Sequence, residues 1–377
     1  MTGAANEDLP LSGLTVLDFS FQLPGPFASL ILSRAGARVI KVERPVTGDD
    51  LRAFHPTREG ENLGFTMLNE GKESIVLDLK AAGAVDRLRP LIAASDIVIE
   101  QFRPGVMDRL GLGHAAMEAM NPGLIYCAIT GYGQTGPDRS KAGHDLTYCA
   151  DAGLLALGSD GRGNPVIPPI TIADIAGGTY PAIMNILLAL RRRDRTGKGA
   201  YIDISMADNL FALQYWAQAE HVVAGRRPLP GGSLLTGGSP RYAIYRTADD
   251  RHIAVAPLEQ RFWDAFCEAI SLDPALRDDT HDPKTTRAAV AAIIAGKTAD
   301  DWRGILGDNM CCALVATQQE AAQNPHFRAR GLFDRTVTSP KGQTSPALAV
   351  PVVPEFVRRD PGQRAPGIGQ DTDRLLE

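Results

Sequence analysis

Leu14-Thr-Val-Leu-Asp-Phe19 is a short β-rich run, followed by the breaker Leu23-Pro24-Gly25-Pro26. An apolar helical pattern then runs from Phe27 to Ala35, with Gly36 placed to cap it, and a second apolar run follows, Val39-Ile-Lys-Val-Glu43. Strand, helix and strand within about 30 residues make a βαβ unit, so the two strands are predicted to be parallel and adjacent. Ser74 to Leu79 reads as a strand, Ala81 to Ala93 as a helix and Asp96 to Glu100 as a strand. A helix near Ala115–Met120 and a strand from Leu124 to Thr130 continue the alternation. This rhythm predicts an α/β fold: a doubly wound, Rossmann-like parallel sheet with helices on both faces.

Further along, a long helical pattern spans Asp174 to Arg193 and ends in a basic turn, Arg191 to Gly199. Positive charge at a helix C-terminus with glycine beyond it is what the macrodipole and capping rules favour. Ala200 to Ser205 reads as a strand and Met206 to Val223 as one helix. Composition then changes. Residues 225–240 are rich in Gly, Pro and Ser and read as a linker. A hairpin (Tyr242 to Arg246, then His252 to Ala256) and helical patterns at Leu258–Leu272, Thr285–Ala295 and Asp300–Leu306 follow. The expected division is 1–224 as a large α/β domain, 241–335 as a smaller α+β domain, and a Pro-rich tail, 336–377, returning to the first.

Composition narrows the function. The 377 residues carry a formal charge of −5, which disfavours a general nucleic-acid binder. The longest apolar runs, such as Ile186 to Leu190, fall short of a membrane span. Met1 to Pro10 shows no secretory pattern, and Arg374 to Glu377 no peroxisomal or lipidation motif. The five cysteines include adjacent Cys311 and Cys312 but no metal-finger spacing, which fits buried thiols in a reducing compartment. A cytoplasmic protein without a structural metal is expected. Gly131-Tyr-Gly-Gln-Thr-Gly136 lacks the spacing of a dinucleotide loop, and no Gly-x-Ser-x-Gly elbow occurs.

Three places invite chemistry. Gly143-His144-Asp145 lies between a strand and a helix, where open α/β sheets place ligands, and imidazole suits proton transfer near neutral pH. The plainer reading makes Asp145 a helix cap and His144 a surface residue. Ala173-Asp174-Ile-Ala-Gly-Gly178 sets a carboxylate at the start of a long helix, as a simple N-cap or as a base or nucleophile, with glycines allowing close approach. Leu258-Glu259-Gln260 follows a strand of the small domain, and its carboxylate either serves first-turn electrostatics or joins a site. No role is assigned to His252 or His326.

The chain also resembles a known superfamily. Leu23-Pro-Gly-Pro26, Ala35 to Arg44, Leu77-Asp-Leu-Lys80, Arg103-Pro-Gly-Val106 with Arg109-Leu-Gly111, Thr130 to Pro137, Arg195 to Gly199 and Asn324 to Gly331 carry the likeness. Together they resemble the family III CoA-transferases (the CaiB–BaiF group), and the branch they are most similar to is the α-methylacyl-CoA racemases. That resemblance implies an enzyme of lipid metabolism acting on acyl-CoA, with CoA as part of the substrate and no cofactor for the chemistry. It implies His144 and Asp174, 30 residues apart, as the two bases that invert the α-carbon, with Glu259 supporting His144. Arg44, Leu77, Leu79, Lys80, Arg103 and Arg109 are implied along a CoA groove. An interlocked homodimer is implied as well, with Glu259 supplied by the partner chain and the large domain discontinuous. The alternative within the superfamily is CoA transfer between carboxylic acids through a thioester on Asp174. A CoA-binding module without catalysis is the third reading.

Overall fold

A computed structural model describes residues 8–225, 227–358 and 362–376. The stretches 1–7 and Glu377, which enter the reading of the chain's ends, lie outside the described residues. The chain forms two compact units. The first comprises the chain up to Ala152, Pro168–Leu213 and the chain from Pro325 onward; the second comprises Gly153–Ile167 and Gln214–Asn324.

The first unit is built on six parallel strands: β1 (Thr15–Asp18), β2 (Arg38–Glu43), β3 (Glu73–Val76), β4 (Ile97–Glu100), β5 (Ile125–Thr130) and β6 (Ala200–Ser205). Their order is β3-β2-β1-β4-β5-β6, with Val16 level with both Val39 and Ile97. The chain therefore steps outward from β1 to β3, then returns to the other side of β1 and steps outward again. The direction reverses between β1 and β4, and ligands of such sheets bind outside the strand ends at that point.

Helices cover the sheet. α1 (Pro24–Arg34) starts on two prolines and is buried along its whole length. α2 (Ala84–Ala94) packs Ala84, Leu88 and Ile92 into a core with Leu17, Ile40, Ile75, Val98 and Tyr126. α3 (Asp145–Asp151) follows β5 after a loop. Ala173–Thr179 winds as a π-helix that runs on into α4 (Tyr180–Thr196). The continuous helix Ala173–Thr196 is long and apolar enough to cross a membrane by length and composition alone. Gly177, Gly178, Thr179 and Asn185 interrupt its apolar residues, so no single run shows its length. It packs against β5, β6 and α1, and 44% of its most apolar window is buried.

The expected single helix Met206–Val223 is two: α5 (Met206–Leu213), a break at Gln214, and a separate helix Tyr215–Ala224. Gln214 has φ −98 and ψ 18, which ends the first helix. Gln214 also begins the longer segment of the second unit, so 214–240 is part of that body rather than a linker, with Ser233 and Ser239 buried in it. The second unit holds the antiparallel strands β7 (Ala243–Arg246), β8 (His252–Val255) and β9 (Cys312–Leu314) in the order β9-β8-β7. Its helices α6 (Gln260–Ala269), α7 (Pro283–Ile294) and α8 (Ala299–Ile305) enclose a core around Trp263, Phe266 and Trp302.

Residues 325–335, expected in the smaller domain, belong to the first unit. The tail beyond them covers the edge of the large sheet. The Ser74 N–H donates to Asp371 and the Val76 N–H to the Thr372 hydroxyl, at 3.0 and 2.9 Å. These bonds satisfy donors that an edge strand would otherwise leave open.

Candidate active site

A cleft of about 950 Å³ opens at the C-terminal ends of β1, β2 and β4. Arg44, Leu77, Leu79, Lys80 and Arg109 all line it, with Phe102 opposite. Arg44 is paired with Asp50, whereas Lys80 and Arg109 have no ion-pair partner among the described residues. Arg103 is not part of this lining. It stands exposed on the loop after β4, and its positive charge acts instead on the Tyr148 phenol.

The first βα turn is closed to anions. Pro24 and Pro26 have no N–H, and the Gly25 N–H donates to Gln101 Oε1 at 2.9 Å. A Cβ on Gly25 would lie 2.2 Å from Ser20 Cβ, so glycine is what lets the helix start this close to β1. The phosphate-binding device of dinucleotide folds is thus spent on packing.

Sequence reasoning missed a buried charge network beneath the cleft. Lys41 lies in the middle of β2, fully buried; its ammonium bonds the Ser20 carbonyl at 2.7 Å and pairs with Asp49 at 2.9 Å. Lys72 donates to Ser29, Asn69 and the Pro26 carbonyl at 2.7, 2.8 and 2.9 Å and faces Asp18 at 3.5 Å. Burial pushes Asp18 up, but Lys41, Lys72 and two serine hydroxyls outweigh it and hold the carboxyl below its ordinary value. Burial pushes Lys72 down to about 7 in spite of Asp18. The available signal was an interior lysine in an otherwise apolar strand.

His144 is the N-cap residue of α3, exposed, at the end of the loop from β5. Its N–H donates to Thr147 Oγ1 at 3.0 Å, and the Thr147 hydroxyl donates back to the His144 carbonyl at 2.8 Å. Thr147 therefore caps the helix, and Asp145 is free for another task. Asp145 Oδ1 accepts the backbone N–H of Asp174 at 3.0 Å. This bond ties the His144 turn to the start of the Asp174 helix, so the structure brings both segments together.

The Asp174 segment is held by close packing. A Cβ on Gly177 would sit 2.3 Å from the Met206 carbonyl oxygen. Asn209 Nδ2 donates to the Gly177 carbonyl at 2.7 Å, and the Thr179 hydroxyl to the Pro24 carbonyl at 2.9 Å. The Asp174 carboxylate itself accepts no hydrogen bond among the described residues. Burial, then the charge of Asp145, push it up to about 7. A π-turn carrying a carboxylate of this kind is a frequent mark of a functional site.

Glu259 lies in the second unit, exposed, immediately before α6. Its carbonyl accepts the Phe262 and Trp263 N–H groups, while its carboxylate is unbonded among the described residues. His252 is exposed on β8, and His326 stands edge-on to Phe327. All five cysteines are free thiols, and no group of residues among those described could hold a metal ion.

Glu100, at the end of β4, also escaped sequence reasoning. It is buried and accepts the Phe102 N–H at 2.7 Å. Burial, with Asp108 and Asp203 adding to it, pushes its carboxyl up to about 8.

The family described as CoA-transferase family III matches residues 11–372. The chain is 34% identical to the Homo sapiens protein named alpha-methylacyl-CoA racemase, over 98% of this chain and 93% of that one. It is 31% identical to the succinate–glutarate CoA-transferase of Agrobacterium fabrum, over 100% and 97%. A solved CAIB/BAIF family protein from Brucella suis superposes with a TM-score of 0.82 at 28% identity, over 98% of this chain and 100% of that one.

Proposed function

The chain belongs to CoA-transferase family III, and we propose that within it the protein is a racemase that inverts the α-carbon of 2-methylacyl-CoA thioesters by two-base proton transfer. The observation that carries this reading is the Asp174 carboxyl, pushed up to about 7 and joined through Asp145 to the turn that carries His144. A general acid–base works best when its pKa lies near the operating pH. At neutral pH such a carboxyl is half protonated, so it takes the proton in one direction and returns it in the other. His144 serves the opposite face. The developing enolate oxygen needs donors aimed at it; the Asp174 and Ile175 N–H groups are already bonded to Asp145 and the Thr171 carbonyl, so on that helix the donors would come from beyond Ile175.

CoA enters as part of the substrate, in the cleft bearing Lys80 and Arg109, and no further cofactor takes part. Glu259 supports the His144 imidazolium from the partner subunit of an interlocked cytoplasmic homodimer; its unbonded carboxylate is consistent with that role. The likeness to the human racemase adds to the reading. The similarity to a succinate–glutarate CoA-transferase supports the second reading, transfer through an Asp174 thioester.

The test is incubation of a 2-methylacyl-CoA with the enzyme in D₂O without an acceptor acid. Deuterium at the α-carbon with inversion of configuration, lost in His144→Ala, is the expected result. No exchange, together with CoA appearing on an added carboxylate and hydroxylamine capture of Asp174, would establish the transferase instead.

A further inference from the structure

One side chain beside the candidate site has no role so far. Tyr148 lies on α3 one turn after His144, and its N–H donates to the His144 carbonyl at 3.2 Å. The side chain is buried, and its hydroxyl donates to the Gly143 carbonyl at 2.6 Å. The ring touches both ends of the loop that delivers His144. A Cβ on Gly131 would lie 2.4 Å from Tyr148 Cε1, and one on Gly143 would lie 2.5 Å from the same atom. Two glycines, at the exit of β5 and before α3, thus close on one aromatic ring.

The remainder of the loop is tied to the same helix. Tyr132 stands edge-on to Tyr148 at 5.2 Å and bonds Asp151 at the far end of α3, and Lys141 reaches Asp151 at 2.6 Å.

We propose that Tyr148 is a positioning residue for His144: by donating to the Gly143 carbonyl, its phenol fixes the peptide entering His144 and so sets the reach of that imidazole toward the substrate. The charged groups around the phenol are Asp174, Asp145 and Arg103, with Tyr132 beside them. Burial, then the charge of Asp174, push the phenol up to about 12, so it stays a donor through the working range and takes no part as an acid or base. The inference rests on the racemase reading for the identity of the reaction.

The test is Tyr148→Phe in the full chain, which keeps the ring and removes only the donor. We expect kcat for epimerisation to fall roughly tenfold, with KM changing by less than about twofold. The melting temperature should stay close to that of the parent enzyme. The decisive readout is deuterium incorporated from D₂O with retention of configuration, because each enantiomer presents its α-proton to a different base. Retention exchange should fall for one enantiomer and persist for the other. 4-Aminophenylalanine at position 148 restores a donor at the same place and should recover most of the lost rate, which separates positioning from folding. Equal loss for both enantiomers, an effect confined to KM or to melting, or failure of the rescue overturns the role of Tyr148 alone. A parent enzyme without any α-exchange overturns the racemase reading and this role with it.

Discussion

Replacing Asp174 by asparagine tests whether the candidate base is held at the expense of the fold. The Asp174 carboxyl is raised from 3.8 to about 7, by burial first and Asp145 second. A shift of about three units corresponds to an upper limit of roughly 4 kcal/mol, since each unit is worth about 1.4 kcal/mol. The side chain is only partly buried, and water on its open side screens the charge, which brings the expectation to about 2–4 kcal/mol. The sign follows from proton counting. Between about pH 4 and pH 7 the folded chain retains a proton that the unfolded chain has released, so stability falls as pH rises through that window. Asparagine has no such proton to lose. Asp174→Asn should therefore match the parent protein near pH 4 and exceed its stability by pH 8, while losing epimerisation. Urea unfolding at several pH values, followed by far-ultraviolet circular dichroism, reads this directly. Tryptophan fluorescence is unsuitable, because Trp216, Trp263 and Trp302 all lie in the second unit and Asp174 in the first. A variant no more stable than the parent at pH 8, or a gain that does not vary with pH, would refute the reasoning.

Two further substitutions probe the surroundings. Gly177→Ala places a carbon 2.3 Å from the Met206 carbonyl, a backbone atom that cannot turn aside; overpacking of this kind costs about 1–3 kcal/mol. It should lower the melting temperature and, by shifting the Asp174 turn, reduce kcat; unchanged melting would show that the helix adjusts freely. Glu100→Gln removes a carboxyl raised to about 8, whose cost to the folded state grows from about pH 4.5 to pH 8 by the same sign argument. Unfolding free energies at pH 6 and pH 9 should converge in the variant and differ in the parent, and a parallel pH dependence in both would count against it.

The sheet was legible because its strands are compact apolar runs set between Pro and Gly breakers, as in Leu14–Phe19 and Leu23–Pro26. What stayed hidden depends on partners distant in sequence. Lys41 stands inside an apolar run, and nothing local shows what would satisfy its charge there; Asp49, Asp18, Glu43 and the Ser20 carbonyl do so in the fold. Gln214 breaks a helix although glutamine is a good helix former, so local propensity gives no sign of the break. Asp145 looks like a helix cap from its position. The cap is in fact made by Thr147, and only the fold reveals that the Asp145 carboxylate meets the Asp174 amide. Arg103 shares a motif with Arg109, yet only Arg109 lines the cleft.

The setting of Asp174 bears on the two chemistries open to the family. A carboxylate that attacks a thioester must be ionised, and fixed hydrogen-bond donors or cations would favour that form. Asp174 has neither in the first unit: no donor among the described residues reaches its carboxylate, and its principal charged neighbour is another aspartate. Burial and like charge both favour the protonated form, which suits a reversible proton carrier, while the fraction still ionised near neutral pH leaves the thioester route open as well. The loop leading to His144 points the same way. Two glycines and a buried tyrosine fix its ends, and Thr147 caps the helix in the place Asp145 could have taken. Those constraints fix the imidazole's backbone and free Asp145 to raise Asp174. A two-base proton transfer would draw on both features, a placed imidazole and a carboxyl able to carry a proton.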